Sequence, residues 1–259
     1  MIRDIVKAGL ILTVVVMVLV STGCRKPGTT KSTVPAYDPN KDPLVNPPSL
    51  FEPPPKDKSE IAIDETLFLQ LDGSPNTLNP LFASSWYEFL VIDCLYDSFL
   101  TFDNKFIIRP NENIVESLEE SDDHTTFTVK LKPDLRWHDG HPFTAHDVVY
   151  SWQQILDPQV PCLTHKASTE PIKECIALDD HIIKLVQPDA LATARLNLEF
   201  PIIPRHIFAK EKTKHPDLKT GEYYNQQNRY PVGNGPYRIV EWKGNDKVVI
   251  ERWEEYTGR

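Results

Sequence analysis

Hydrophobic and polar residues alternate along several short segments, most clearly in TTFTVKL at residues 125–131. Successive side chains of a β-strand point to opposite faces, so one face of this segment is apolar and the other is polar. The apolar face carries Phe127, Val129 and Leu131, and the polar face carries Thr126, Thr128 and Lys130. This pattern predicts a half-buried antiparallel strand.

Other short apolar segments predict further strands. They are LFLQL at 67–71, FIIRP at 106–110 and HIIKLVQ at 181–187. Near the end of the chain, YRIVEW and KVVIERW are separated by a turn around GND, which predicts a β-hairpin.

Two segments have the apolar spacing or composition of helices. In SSWYEFLVIDCLYDSFL, which Ser84 or Ser85 can cap, apolar residues recur at helical intervals, namely at Phe89, Ile92, Leu95 and Phe99. The segment ALATARLNLEF at 190–200 predicts another short helix. Because helices and strands interleave along the chain, we predict a mixed α/β fold.

The stretch LRWHDGHPFTAHDVVYSW at 135–152 concentrates three histidines and two aspartates, as a metal or acid–base site would. His138 and His141 flank Asp139 and Gly140, and this Asp-Gly pair is a strong turn signal. The two histidines therefore do not share a helix face, as the zinc ligands of an HExxH motif do.

A capped helix is predicted directly after this turn, from Ala145 to about Leu156. Thr144 is a suitable N-cap and Asp147 stands at the third helical position, so the two can form a capping box. The apolar face of the helix carries Val148, Val149, Trp152, Ile155 and Leu156. We interpret the stretch as a turn and a capped helix, and we predict no catalytic residue, no metal ligand and no cofactor.

The first 23 residues have the order of an export signal. Arg3 and Lys7 precede 13 uncharged apolar residues at 8–20, and STGC follows. This apolar run is shorter than the roughly 20 residues that a transmembrane helix needs. We expect 1–23 to be a lipoprotein signal peptide and Cys24 to become a lipidated N-terminus, which would anchor the exported protein to a membrane of the cell envelope.

Residues 24–60 are rich in proline and lack hydrophobic periodicity. Such a composition cannot bury enough apolar surface to form a core, so we expect a tether between the lipid anchor and a folded domain. A proline-rich ligand for another protein is the alternative interpretation of this segment.

Charge and cysteine content narrow the function further. The net charge is −9 and lysines and arginines form no cluster, which argues against a nucleic-acid partner. Because an exported protein meets oxidising conditions, Cys162 and Cys175 could form a disulfide, whereas Cys94 lies in an apolar helical pattern and is expected to be buried. GNGPY at 233–237 leads into a strand and not a helix, so it is not interpreted as a phosphate loop.

Several of these segments, taken in order, resemble one family. WHDGHPFTAHDVVYSW, following an alternating strand, is similar to the most recognisable stretch of the family 5 extracellular solute-binding proteins, the receptors of oligopeptide and dipeptide ABC importers. The other matching segments are TLNPLF, CLYDSFLTFD, ALDDHIIKLV, FPIIPRHIF and VGNGPYRIVEW…ERWEEY.

The resemblance implies a type II periplasmic-binding-protein-like fold. One lobe would consist of 61–83 and 200–259, and the smaller inserted domain would be 84–199. Members of the family run to about twice this length, and their second large lobe follows the region that corresponds to ERWEEY. We therefore expect an N-terminal fragment that is truncated before this lobe.

The resemblance also implies a cleft that binds a peptide or another small solute and a receptor that delivers it to ABC permease subunits in the membrane. The loop after the first strand lines that cleft in the family, and aromatic residues at the next helix start can form its wall. The expected binding residues are Gly73, Ser74, Pro75, Asn76, Trp86 and Tyr87.

Two other functions compete with a receptor at this stage. One is a metal-dependent extracellular enzyme that uses His138, Asp139 and His141. The other is an interaction module carried on a stalk.

Overall fold

The computed structural model describes residues 13–18, 66–71, 73–103 and 107–257. Its strands are β1 (Thr13–Val18), β2 (Thr66–Leu71), β3 (Leu100–Phe102), β4 (Ile108–Pro110), β5 (Val115–Glu120), β6 (Thr126–Leu131), β7 (Glu174–Ala177), β8 (Ile182–Val186), β9 (Tyr237–Lys243) and β10 (Lys247–Arg252). Its α-helices are α1 (Trp86–Leu95), α2 (Ala145–Leu156), α3 (Leu163–Thr169), α4 (Arg205–Lys212) and α5 (Glu222–Arg229).

The first sheet has the strand order β2-β1-β10-β9. β1 is parallel to β2 and antiparallel to β10, and β9 and β10 form the predicted hairpin, with a register shift between Val249 and Ile250. The hairpin turn contains Gly244 at a φ of +49°, a left-handed conformation that glycine adopts without a Cβ clash. β1 lies inside the apolar run 8–20, and its valine-rich sequence suits an inner strand. Cleavage of a signal peptide stays a prediction, and it would remove β1 from between β2 and β10.

The second sheet has the order β5-β6-β8-β7, and all of its neighbouring strands are antiparallel. The alternation predicted for β6 is confirmed, because Phe127, Val129 and Leu131 are buried and Lys130 is exposed. Val129 pairs with Ile183 of β8, which is also buried. The helix α2 packs against β7 and β8 and covers one face of this sheet.

The helix α2 begins and ends at the predicted residues. The Asp147 carboxylate accepts the Thr144 backbone N–H at 2.9 Å, as the capping box requires. The same carboxylate accepts the backbone N–H of Arg205 at 2.9 Å, so it also holds the first residue of α4. Asp147 is therefore buried as a structural acceptor that joins two helices.

Two helix predictions were wrong in extent. The segment 190–200 forms turns and a short 3-10 helix, Leu196–Leu198, because the buried Gln187 side chain competes for its polar groups. Gln187 Nε2 donates to the Ala194 carbonyl at 2.7 Å, and Asn197 Nδ2 donates to Gln187 Oε1 at 2.7 Å. The helix α1 ends at Leu95, so Phe99 packs from a loop, edge to face with Phe200.

The predicted disulfide is absent from the structure. Cys162 and Cys175 are both buried free thiols, and Cys94 is buried, as predicted. Cys162 immediately precedes α3, and Cys175 lies on β7. Burial raises the pKa of Cys175 to about 12, which keeps this thiol protonated and unreactive.

The predicted division into lobes stays a prediction. The segments 66–71 and 237–252 supply three strands of the first sheet, whereas the second sheet uses only residues between 115 and 186. The helix α1 packs against β9 of the first sheet. None of the helices in the described part of the chain has the length and apolar composition needed to cross a bilayer.

Candidate functional site

The loop with four of the predicted binding residues lies against the start of α1. A Cβ placed on Gly73 would come within 2.6 Å of the Tyr87 ring carbon Cζ, so the ring occupies the space that a side chain at 73 would need. Gly73 and Tyr87, two of the predicted binding residues, are therefore in contact. The glycine permits this close approach of ring and backbone.

The carboxylate of Glu88 fixes this loop to the helix. It accepts four backbone N–H groups, from Asn76 at 2.9 Å, Thr77 at 3.3 Å, Ser84 at 2.8 Å and Ser85 at 2.9 Å. Glu88 is only 2% exposed. Its burial alone would raise the pKa, but the backbone donors outweigh burial and hold the pKa below its ordinary value of 4.5.

Glu88 is absent from the residues predicted for the site. Its signal was nevertheless present, because Ser85-x-x-Glu88 is a capping-box pattern at the start of α1. The additional bonds to the Asn76 and Thr77 amides come from a loop that precedes the helix by several residues, and no local pattern predicts them.

The second half of the loop is anchored to α5. The Leu78 backbone N–H donates to the Asn228 carbonyl at 2.7 Å, and the Thr77 hydroxyl donates to the Asn228 side-chain oxygen. Within the loop, the Asn79 N–H donates to the Thr77 hydroxyl at 3.0 Å. Contacts on two sides, with α1 and with α5, therefore hold the loop.

The remaining predicted binding residues differ in what they present to solvent. Trp86, the first residue of α1, is 73% exposed. Asn76 is also exposed, whereas Pro75 is buried and supports the loop from inside. Ser74 Oγ donates to Asn245 Oδ1 at 3.0 Å, which places this part of the loop beside the β9–β10 turn. A fixed loop and an exposed indole thus form a surface that a ligand can contact.

His138 is committed to the GNGPY segment. Its Nδ1 accepts the Gly233 N–H at 3.1 Å and its Nε2–H donates to the Gly235 carbonyl at 3.0 Å. Its ring packs edge to face on Trp253, with ring centroids 4.9 Å apart. Burial of the imidazole lowers its pKa to about 4, so the ring is neutral and both nitrogens already have partners. This arrangement excludes His138 from the predicted alternative metal site.

The glycines of GNGPY serve close packing. A Cβ on Gly233 would lie 2.0 Å from the Leu95 carbonyl oxygen, and the Gly235 N–H donates to that oxygen at 2.9 Å. Between them, Asn234 exchanges two bonds with the Asp97 backbone, at 3.1 Å each. The segment is a turn that leads into a strand, as the sequence predicted, and the structure adds that it packs on the C-terminal end of α1.

Three other polar side chains meet near the Asp-Gly turn. Asp139 Oδ2 lies 2.6 Å from His206 Nε2, and Asp139 Oδ1 lies 3.4 Å from His141 Nδ1. The two imidazole rings are stacked, with centroids 4.0 Å apart and planes 13° apart. His206 lies far along the chain from the turn, and no sequence pattern connected it to Asp139. His146 is not in this group, since its Nε2 lies 3.2 Å from Asp180 Oδ1.

A pocket of about 330 Å³ lies elsewhere, beside the end of α3, and Lys173, Gln187 and Leu191 are among its lining residues. None of the predicted binding residues lines it. It is therefore separate from the surface formed by the loop and α1.

Comparisons with known proteins give a consistent result. The family described as "Bacterial extracellular solute-binding proteins, family 5 Middle" matches residues 77–259. The "Probable ABC transporter periplasmic-binding protein SapA" of Escherichia coli (strain K12) is 27% identical over 208 residues, which are 72% of this chain and 36% of that protein. The "Oligopeptide-binding protein AppA" of Bacillus subtilis (strain 168) is 26% identical over 187 residues, 71% of this chain and 33% of that protein.

The solved structures agree on the fold. The ABC transporter substrate-binding protein CtaP of Listeria monocytogenes matches with a TM-score of 0.61 and 30% identity, over 72% of this chain and 36% of that chain. AppA of Bacillus subtilis, solved with a nonapeptide, matches with a TM-score of 0.61 and 23% identity, over 71% of this chain and 35% of that chain. These neighbours are type II periplasmic binding proteins, so the predicted fold class is confirmed. The chain spans about a third of the length of these relatives.

Proposed function

This chain belongs to the family 5 bacterial extracellular solute-binding proteins, and from that premise we propose that it forms part of a receptor for an ABC importer. The receptor binds an oligopeptide or dipeptide outside the cytoplasm and delivers it to permease subunits in the membrane. The family consists of solute-binding receptors and is not an enzyme family.

The observation that carries the proposal is the surface formed by the loop 73–79 and the first turn of α1. Glu88 and α5 hold the loop backbone in place, so its conformation is largely set before a ligand arrives. Because the backbone N–H groups of Asn76 to Asn79 are already bonded within the protein, an extended peptide can pair in the manner of an added β-strand only with the part of the loop before Asn76.

Trp86 supplies the apolar part of this surface. Its indole is 73% exposed at the N-terminus of α1, next to Tyr87, which packs on Gly73. A large aromatic ring gives much contact area at low cost in conformational entropy, and it suits ligands of varied side-chain composition.

The proposed surface can be tested by tryptophan fluorescence. Titration of the full chain with a mixture of tripeptides is expected to shift the emission in a saturable manner, because an exposed indole loses contact with water when a ligand covers it. Trp86→Phe should remove most of the shift. Trp86→Ala should weaken peptide binding roughly tenfold or more, as measured by isothermal calorimetry.

Leu163→Ala is the matched control, since Leu163 is 85% exposed and lies outside the proposed surface. It should leave the titration unchanged. A saturable signal that persists in Trp86→Phe and Trp86→Ala would contradict the assignment of this surface, and the absence of peptide binding by isothermal calorimetry would contradict the receptor function itself.

We also propose that the receptor is held at a membrane through a lipid on Cys24, with 1–23 removed as the signal peptide. The support is the order of basic residues, apolar run and STGC in the sequence. Expression with a radiolabelled fatty acid should label the wild type and not Cys24→Ala, and the variant should leave the membrane fraction. Equal labelling of the two proteins would contradict the anchor.

A further inference from the structure

The Asp-Gly turn places two metal-ligating side chains at its tip. The Trp137 N–H donates to the His141 carbonyl at 2.8 Å and the Gly140 N–H donates to the Trp137 carbonyl at 2.8 Å, which closes the turn. Gly140 has a φ of +84°. The His141 N–H donates to Asp139 Oδ1 at 3.1 Å, so the aspartate is oriented by its own turn.

The third side chain comes from the start of α4. His206 is the second residue of that helix, and the bond from the Arg205 N–H to buried Asp147 fixes the helix start. The turn and the helix are therefore positioned by separate sets of buried contacts. His206 Nε2 and Asp139 Oδ2 meet at 2.6 Å across the gap between them.

The donor atoms lie at distances that suit one ion. One ligand atom from each of Asp139, His141 and His206 lies within 4.8 Å of the other two. Zn²⁺ bonds imidazole nitrogen and carboxylate oxygen at about 2.0–2.2 Å, so neighbouring ligands of a tetrahedral ion stand roughly 3.4 Å apart. The two imidazole planes are stacked 13° apart, so at least one ring must rotate for both in-plane nitrogen lone pairs to point to the same ion.

Access to the group is open. The side chains of His141, Asp139 and His206 are 58%, 30% and 21% exposed, and no heavy atom lies within 4 Å of the position of a Cβ on Gly140. The Arg136 guanidinium is engaged by the turn itself, because its Nη1 donates to the Gly140 carbonyl at 3.0 Å. An ion can therefore reach the group without displacing a buried element.

The chemistry of the donors selects the kind of ion. Two imidazoles and one carboxylate suit Zn²⁺, Ni²⁺ or Cu²⁺, whereas Mg²⁺ and Ca²⁺ prefer sites made of oxygen. With three protein ligands, a fourth position stays open to water or to a group on another molecule.

We propose that Asp139, His141 and His206 form a binding site for one divalent transition-metal ion, which links the Asp-Gly turn to the start of α4. The site lies apart from the loop 73–79 and does not depend on the receptor function. His138, which the sequence places beside Asp139, is not a ligand.

The test is isothermal calorimetry of the full chain with Zn²⁺ alone, after treatment with a chelator. The wild type is expected to bind Zn²⁺ with 1:1 stoichiometry. Mg²⁺ at about 5 mM should not compete for the site. His141→Ala and His206→Ala should each lower the affinity roughly tenfold or more, since each removes one of three bonds to the ion. Asp139→Asn should weaken binding as well.

His146→Ala is the matched control, because His146 is an exposed histidine that lies near Asp180 and outside the proposed group. It should bind Zn²⁺ as the wild type does. The absorption of bound Co²⁺ provides a second measurement, and it should change in His141→Ala and not in His146→Ala. Circular dichroism without metal establishes that the variants fold.

Two results would overturn the proposal. One is a wild type without a 1:1 site for Zn²⁺. The other is equal loss of affinity in His146→Ala and in His141→Ala or His206→Ala, which would indicate dispersed binding to surface histidines.

Discussion

Two surface turns of this protein differ in how they use their polar residues. In the loop 73–79, the acidic group that matters is Glu88, which is buried and occupied by four backbone amides. In the Asp-Gly turn, Asp139 faces two imidazoles at the surface, while the neighbouring His138 is occupied by Gly233 and Gly235. The comparison teaches that polar residues clustered in sequence indicate a candidate site where their ligand atoms face one another at the surface, and not where backbone groups occupy all of those atoms.

The largest expected effect comes from Gly233→Ala. The added methyl would lie 2.0 Å from the Leu95 carbonyl oxygen, and neither backbone segment can move without breaking the bonds of His138 and Asn234. We expect the free energy of unfolding to fall by about 3 kcal/mol or more.

Urea denaturation measures this change. Gly73→Ala is the matched control, because its methyl would meet the end of the Tyr87 ring, which can move, at a cost of about 1 kcal/mol. If Gly233→Ala proved no more destabilising than Gly73→Ala, the packing assigned to GNGPY would be wrong.

Glu88→Ala should have the next largest effect. It leaves four backbone donors without the carboxylate, so we expect a loss of roughly 2–4 kcal/mol in the free energy of unfolding. Glu116→Ala serves as the control, since Glu116 is an exposed partner of Lys130 and its loss should cost under about 1 kcal/mol. Similar losses in the two variants would contradict the anchoring role of Glu88.

The pH dependence of stability gives a smaller and more specific effect. The pKa of Glu88 in the folded protein lies below its ordinary value of 4.5, so its stabilisation is present above that pH and is lost as the pH falls. The free energy of unfolding should therefore decline less steeply below pH 4.5 in Glu88→Gln than in the wild type. Parallel declines in urea melts across this range would show that Glu88 does not carry the linkage.

Much of the fold could be predicted from the sequence where one short segment determines its own structure. β6 alternates over six residues, α2 carries its own N-cap, and the β9–β10 hairpin has its turn between two apolar segments. These elements need only local information, and each was found close to its observed position.

The failures are of a different kind. The segment 190–200 does not form the predicted helix, because the Gln187 side chain bonds its polar groups. The helix α5 was missed because its sequence, EYYNQQNR, is almost entirely polar. The partners of the candidate sites are equally non-local. His206 reaches Asp139, and Asn228 reaches Thr77, only because of the tertiary fold.

Hydrogen–deuterium exchange of the full chain with and without a saturating tripeptide mixture tests the central claim most directly. The account predicts slower exchange in the segment 73–87, where the loop and Trp86 form the proposed surface, and unchanged exchange at 138–143. Protection confined to other segments, or slower exchange at 138–143 without any change at 73–87, would contradict it.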